Sequence, residues 1–153
     1  MEAIALLVND HKILRGLLGK LEKSTPKAAA TRTKLLASIK ANIEAHTTIE
    51  EEIFYPAFQE AGKKGDDDKM YFEALEEHRA AGDLVLPDLL ATDPASEQFG
   101  GRAKVLKEMI EHHAGEEEKE MFPRARKLLD LAARKSLGAQ MEKRRKELLG
   151  RNA

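Results

Sequence analysis

The chain repeats a pattern of chemically distinctive residues at a constant interval of 67 positions. One offset relates four pairs of residues: His11 and His78, His46 and His113, Glu50 and Glu117, and Pro56 and Pro123. A single offset shared by several pairs is typical of an internal duplication. The sequence therefore predicts two copies of one structural unit within its 153 residues.

The apolar residues have the period of α-helices, which makes each predicted unit a helical hairpin. Turn-forming residues at 24–26, 62–68 and 92–94 divide the chain, and Pro123 interrupts the fourth stretch. We predict an all-α protein with an up-down-up-down four-helix bundle in residues 1–123. Residues 124–153 are expected to form an extra basic helix that packs on the bundle or extends it. No stretch alternates with the period of a β-strand.

Composition and charge exclude several classes of protein. The chain has no cysteine, which rules out disulfides, thiolate metal ligands and iron–sulfur clusters. No apolar run is long enough to span a membrane, and residues 1–4 lack the basic start of a secretory signal. We therefore expect a cytoplasmic protein with no membrane partner. The net charge of −1 gives no reason to expect nucleic acid.

Each predicted helix of the bundle carries one histidine on its apolar face, namely His11, His46, His78 and His113. A single such histidine is usually a hydrogen-bonded core residue. Glu50 and Glu117 follow two of these histidines by four residues and so lie on the same helix faces. Burial of two carboxylates requires positive charge nearby. Because the apolar faces offer little Lys or Arg, we predict that the four histidines and two glutamates converge on a pair of metal ions.

This pattern resembles that of the hemerythrin-like proteins with an HHE cation-binding domain. In both copies a histidine is followed by His-x-x-x-Glu, and proline stands six residues after the glutamate. The resemblance covers residues 4–124 and implies a four-helix bundle around a non-haem di-iron centre. It implies these ligands: His11, His46, Glu50, His78, His113 and Glu117. Gly82 stands where the oxygen-carrying hemerythrins have a further histidine, which leaves four histidines instead of five.

Imidazole and carboxylate ligands suit iron, manganese or zinc, and the resemblance favours two iron ions with an oxo or hydroxo bridge. Such a centre would have open positions for O2, peroxide or nitric oxide. We predict a protein that binds, senses or detoxifies these molecules, and the sequence leaves open whether it is a peroxidase-like or nitric-oxide-reducing enzyme. The alternative is an iron-handling or sensor module that acts through a protein partner without turnover.

Several neighbours of the predicted ligands have open assignments. Tyr55 is nine residues from His46, which places it on the opposite side of an ideal helix, although Pro56 can distort that turn. His112 is expected at a helix boundary or in solvent. Glu120 lies on the inner face and can line an entrance or reach a metal.

A second set of neighbours is expected to support the ligands. Glu51 and Glu118 can accept a hydrogen bond from the second ring nitrogen of a ligand histidine. Arg15 and Gly82 are equivalent in the repeat. Arg15 can pair with a carboxylate or extend to the surface, and Gly82 can leave space for a small ligand. Phe54 and Met121, also equivalent, are expected to keep the centre dry.

Residues 124–153 carry a charge of +7, whereas the preceding residues carry −8. A basic helix of this kind is expected to dock on the acidic bundle. The alternatives to docking are a homodimer contact, an acidic protein partner or a nucleic acid.

Overall fold

The computed structural model describes the backbone of residues 1–151 and the side chains of residues 1–150. This part of the chain is helical and contains no β-strand, as the sequence predicts. None of its helices has the length and apolar character needed to cross a bilayer. The α-helices are, in chain order, α1 (Ala3–Lys23), α2 (Ala29–Ile49), α3 (Tyr55–Ala61), α4 (Asp66–His78), α5 (Leu86–Leu90), α6 (Glu97–Glu116), α7 (Phe122–Leu128) and α8 (Leu131–Arg151).

Three wide π-helical turns join pairs of these helices without a break. They are π1 (Glu50–Phe54) between α2 and α3, π2 (Arg79–Val85) between α4 and α5, and π3 (Glu117–Met121) between α6 and α7. The bundle therefore has four long helical segments, of which α1 is the first, and α8 is a fifth helix beside them. This arrangement confirms the predicted bundle with an extra C-terminal helix.

Proline follows each π-turn as the second residue of the next α-helix, at Pro56, Pro87 and Pro123. Proline has no N–H, and its ring clashes with the carbonyl four residues earlier in a regular α-helix. A π-turn relieves this conflict because its hydrogen bonds span five residues. Pro123 therefore widens the fourth helix without ending it, and the helix continues to Leu128.

Local hydrogen bonds define where several helices begin. The Glu2 carboxylate accepts a hydrogen bond from the Ala5 N–H at the start of α1. The Ser96 hydroxyl accepts one from the Phe99 N–H at the start of α6. Gly65, which precedes α4, has a φ of 98°, a conformation that glycine adopts at little cost. These features mark the starts of α1, α6 and α4.

The core consists of two apolar clusters, one toward each end of the bundle. The upper cluster, near α8, includes Ile4, Leu7, Ile49, Phe54, Phe58, Phe122 and Met141. The lower cluster includes Leu14, Leu18, Ile39, Ile43, Leu89, Phe99 and Leu106. Along α1 the upper cluster ends at Leu7 and the lower begins at Leu14, and the buried pair Asp10 and His11 lies between them. The predicted site residues thus form a polar layer between two dry regions.

The C-terminal helix α8 packs against α1, α2 and π1. Met141 is fully buried in the upper cluster. Basic residues of α8 pair with acidic residues of the bundle, such as Arg134 with Glu2 at 3.1 Å and Arg144 with Glu52 at 2.7 Å. The division of the chain at residue 123 stays a prediction, and residues 152–153 of the predicted tail lie outside the described residues.

Candidate metal centre

All six predicted ligand side chains lie buried in the same layer of the bundle. One group of donor atoms within 4.8 Å of one another comes from His11, His46, Glu50 and Glu117. A second such group comes from Glu50, His78 and His113. Because Glu50 belongs to both groups, the structure provides two adjoining donor sets with a shared carboxylate. The assignment of these side chains as metal ligands itself stays a prediction.

The histidines pair within each repeat. The rings of His11 and His46, both from the first hairpin, are 5.0 Å apart between centroids. Those of His78 and His113, from the second, are 4.7 Å apart. Each hairpin therefore supplies one pair of imidazoles, as expected for a duplicated unit.

The two glutamates connect the hairpins. Glu50 Oε1 lies 3.0 Å from Nε2 of His46 in its own hairpin and 3.1 Å from Nε2 of His78 in the other. Glu117 Oε1 lies 3.3 Å from Nε2 of His113 and 3.2 Å from Nε2 of His11. Each carboxylate thus contacts one histidine of each pair.

The donor set suits a cation. Among the described side chains, three buried polar atoms have no hydrogen-bond partner: His11 Nδ1, His46 Nε2 and Glu50 Oε2. The 3.0 Å contact of His46 Nε2 with Glu50 Oε1 lacks hydrogen-bond geometry. Nε2 atoms of His78 and His113 face each other at 3.1 Å. Buried polar atoms in native proteins are normally hydrogen-bonded. Nitrogen and carboxylate lone pairs that converge without enough donors are satisfied by a metal ion, so the residues present fit the predicted group.

The two buried carboxylates have opposite pKa shifts. Burial raises the pKa of Glu50, but the charge of His46 and hydrogen bonds from its neighbours outweigh burial and hold this pKa well below its usual value. Burial and the nearby Glu50 charge raise the pKa of Glu117. Two carboxylates this close cannot both be charged without compensation, so without a cation the layer must retain protons.

Two of the histidines favour the charged form in the metal-free chain. Burial lowers the pKa of His46, but Glu50 and Asp10 outweigh it and raise this pKa to about 10. Burial likewise opposes a raised pKa at His113, where Glu117, Glu50 and Glu77 favour the charged ring. Because a metal binds neutral imidazole, ion binding and proton release must be coupled in this layer.

A ring of carboxylates surrounds the histidines on the side away from the centre. His46 Nδ1 lies 3.1 Å from Asp10, His78 Nδ1 lies 3.2 Å from Glu51, and His113 Nδ1 lies 2.8 Å from Glu77. His11 Nδ1 lies 3.5 Å from Glu118, without hydrogen-bond geometry. Such carboxylates fix the ring orientation and the tautomer of a ligand histidine.

Glu51 and Glu118 lie where the sequence suggested, whereas Asp10 and Glu77 were missed. Asp10 and Glu77 directly precede His11 and His78, and they too are 67 residues apart. This equivalence was a signal available in the sequence. The duplication therefore extends from the six predicted ligands to the four carboxylates around them.

Tyr55 points into the centre, which corrects the expectation from ideal helix geometry. Its hydroxyl donates a hydrogen bond of 2.9 Å to Glu117 Oε2 and lies 3.1 Å from Nε2 of His78 and 3.2 Å from Nε2 of His113. The π1 turn is responsible, because each of its residues advances less around the axis than an α-helical residue does. Nine residues after His46, the side chain thus returns to the inner face.

His112 and Glu120, whose positions the sequence left open, lie toward the surface. The His112 side chain is 66% exposed and lies 3.4 Å from Glu77 and 3.2 Å from Glu116. Glu120 is exposed and lines an acidic opening that reaches His113. Burial and the nearby residues Glu73 and Glu77 raise the pKa of Glu116, at this opening, to about 7.

A small, mainly apolar cavity adjoins the four histidines on the lower side. Gly82 lines this cavity, and a Cβ atom at Gly82 would contact nothing within 4 Å. Its repeat equivalent, Arg15, instead forms an ion pair of 2.9 Å with Glu118. Phe54 and Met121 are buried in the upper cluster. The layer is thus closed above by apolar side chains and has free space below.

Comparison with known families agrees with this geometry. The family model of the hemerythrin HHE cation binding domain matches residues 2–125. The chain belongs to this family. The match covers both hairpins and the complete histidine–glutamate layer, whereas the end of α7 and all of α8 lie beyond it.

This HHE protein has relatives in Mycobacterium tuberculosis and in a Nostoc strain. The uncharacterized protein Rv2633c of Mycobacterium tuberculosis is 29% identical over 123 residues, which are 80% of this chain and 71% of that protein. A DNA nickase of a Nostoc strain is 26% identical over 113 residues, but the match covers only 30% of its length.

A crystal structure extends the likeness to nearly the whole chain. The HHE cation binding domain-containing protein from Mycobacterium kansasii, a homolog of Rv2633c, superposes with a TM-score of 0.85 and 26% identity. The match covers 99% of this chain and 89% of the other. The arrangement of the bundle and the fifth helix is therefore shared with a solved HHE protein.

Proposed function

We propose that the chain is a non-haem di-iron protein that binds, senses or detoxifies O2, peroxide or nitric oxide. The observation that supports this most is the pair of adjoining donor sets that share a buried carboxylate. His11 and His46 would hold one ion, and His78 and His113 the other. Glu50 and Glu117 would bridge them. Iron is favoured by the family, while manganese and zinc also suit such ligands.

Two bound iron ions would supply the electrons and open coordination positions needed to bind and reduce a small oxidant. The protein itself orients the ligands, because three outer carboxylates hydrogen-bond the rings of His46, His78 and His113. The apolar cavity beside Gly82 gives a small uncharged molecule a dry approach to the layer. Tyr55 donates a hydrogen bond from its hydroxyl to Glu117, one of the predicted ligands.

A sensor or iron-handling module is a second candidate, supported by the position of α8. This helix lies beyond the family match and packs against two helices of the bundle. It has a basic surface that a protein partner or a second copy can contact. In that case the centre would bind its ligand without turnover. We also propose a cytoplasmic location, for which the absence of cysteine is the only support.

Turnover assays separate the two functions. We expect iron-loaded protein to consume hydrogen peroxide or nitric oxide over many cycles, and we expect Glu50→Ala to abolish this activity. Glu52→Ala is the matched control, because Glu52 is exposed and pairs with Arg144 outside the layer. Binding without turnover by the iron-loaded protein would reject the enzyme and favour the sensor. Full activity in Glu50→Ala would reject the proposed centre.

A further inference from the structure

Beyond the outer carboxylates lies a layer of arginines that covers only one half of the centre. Arg145 of α8 places Nε 2.8 Å from Asp10 Oδ1. The other oxygen of Asp10 lies 3.1 Å from Nδ1 of His46. Asp10 is only 4% exposed, so Arg145, Asp10 and His46 form a continuous chain from the C-terminal helix into the candidate centre.

The second histidine of the first hairpin has a similar arrangement. Arg15 donates hydrogen bonds of 2.9 Å and 3.1 Å to the two oxygens of Glu118. Glu118 in turn lies 3.5 Å from Nδ1 of His11. Each histidine of this pair thus has a carboxylate behind it and an arginine behind that carboxylate.

The second hairpin lacks this arginine layer. Within the described residues, neither Glu51 behind His78 nor Glu77 behind His113 has a lysine or arginine in ion-pair distance. The difference follows from the sequence, because the repeat equivalent of Arg15 is Gly82. Arg145 lies outside the two hairpins and has no equivalent in the second one.

The arginines weaken the effect of the outer carboxylates on electron donation by the histidines. A carboxylate behind a ligand histidine makes the imidazole a stronger electron donor. An arginine on that carboxylate competes for its charge and adds a positive charge close to the ion position. Both effects disfavour the higher oxidation state of an ion held by His11 and His46. The carboxylates behind His78 and His113 have no such arginine.

We propose that the two ion positions are electrostatically unequal and that Arg145 is the positioning residue that maintains much of this difference. The position between His11 and His46 retains the lower oxidation state more readily than the position between His78 and His113. The proposal rests on the proposed di-iron function. It also gives α8 a role, because this helix holds Asp10 and tunes the centre without contacting an ion.

Reductive titration of the iron-loaded full-length protein tests this proposal. Dithionite supplies one electron per ferric ion, and absorption follows the two steps. We expect Arg145→Gln to make the reduction potential of the ion held by His11 and His46, the more easily reduced one, more negative. The reduction potential of the other ion should shift less. Arg145→Lys keeps the charge and is expected to restore most of the wild-type value. Arg15→Gln should shift the same step in the same direction.

Arg144→Gln is the matched control. It removes the same charge from the adjacent position, but Arg144 pairs with exposed Glu52 instead of Asp10. We expect no shift in this variant. Equal potentials in Arg145→Gln and Arg144→Gln would overturn the proposal, even if both proteins hold iron normally. Failure of the wild-type protein to retain iron would instead reject the di-iron function.

Discussion

At the scale of single residues, a tyrosine hydroxyl makes the duplicated centre unsymmetrical. Tyr55 and Phe122 occupy equivalent positions in the two hairpins. The Phe122 ring stacks on His11 at 5.8 Å, and the Tyr55 ring stacks on His78 at 5.3 Å. The aromatic contact is thus common to both halves, while only Tyr55 adds a hydrogen-bonding group. Burial, with Glu117 and Glu50 nearby, raises the pKa of Tyr55 well above its usual value, so the hydroxyl keeps its proton.

Removal of this hydroxyl is expected to destabilise the metal-free protein. Tyr55→Phe keeps the ring but leaves Glu117 Oε2 without its donor, and a buried acceptor that loses its partner costs about 1–3 kcal/mol. The free energy of unfolding in urea measures this loss. Tyr71→Phe is the control, because Tyr71 is only partly buried and makes aromatic contacts with Tyr55 and Phe72. Equal stability of Tyr55→Phe and wild-type protein would show that the hydrogen bond contributes nothing.

Residue spacing could not predict the contacts that depend on π-turns or on ion pairs between distant helices. His46 and Glu50 are one turn apart on regular helix, so their shared face follows from spacing alone. Tyr55 could not be placed in this way, because π1 lies between it and His46 and changes the register. Arg145 and Asp10 are 135 residues apart, and no local pattern indicates such a contact. Spacing thus predicted the bundle and brought together the six candidate ligands, but not the groups reached through irregular turns or distant helices.

At the scale of helices, π1 and π3 begin at Glu50 and Glu117, the two candidate bridging residues. Equivalent prolines follow them, at Pro56 and Pro123. The third long helix has its π-turn directly after His78. Wide turns thus occur where the bundle must accommodate the polar layer, which is consistent with the frequent use of π-bulges at functional sites.

The contact between α1 and α8 depends on a glycine. A Cβ atom at Gly138 would overlap the Met1 carbonyl and approach backbone atoms of Glu2 and Ala3 at 2.9 Å. Gly138→Ala is therefore expected to destabilise the protein by about 1–3 kcal/mol through overpacking. Gly16→Ala is the control and is expected to stabilise the protein. Its Cβ would meet nothing within 4 Å, and alanine favours helix over glycine by up to about 1 kcal/mol. Thermal unfolding distinguishes them, and a stabilised Gly138→Ala protein would contradict this packing.

At the scale of the whole molecule, a polar layer separates two apolar clusters and is enclosed by four helical segments. The upper cluster includes Met141 of α8, so the fifth helix is part of the structure that closes the layer from above. Basic residues of α8 meet acidic residues of the bundle, in keeping with the opposite charges of the two parts of the chain. The molecule thus places two adjoining sets of metal donors between two apolar clusters.

The iron content of the purified full-length protein, measured after anaerobic loading with ferrous iron and removal of unbound ions, tests the central claim most directly. We expect about two iron ions per chain, as in other carboxylate-bridged bundles, and a large loss of iron in Glu50→Ala but not in Glu52→Ala. Absence of bound iron in the loaded wild-type protein, or an undiminished content in Glu50→Ala, would contradict the account.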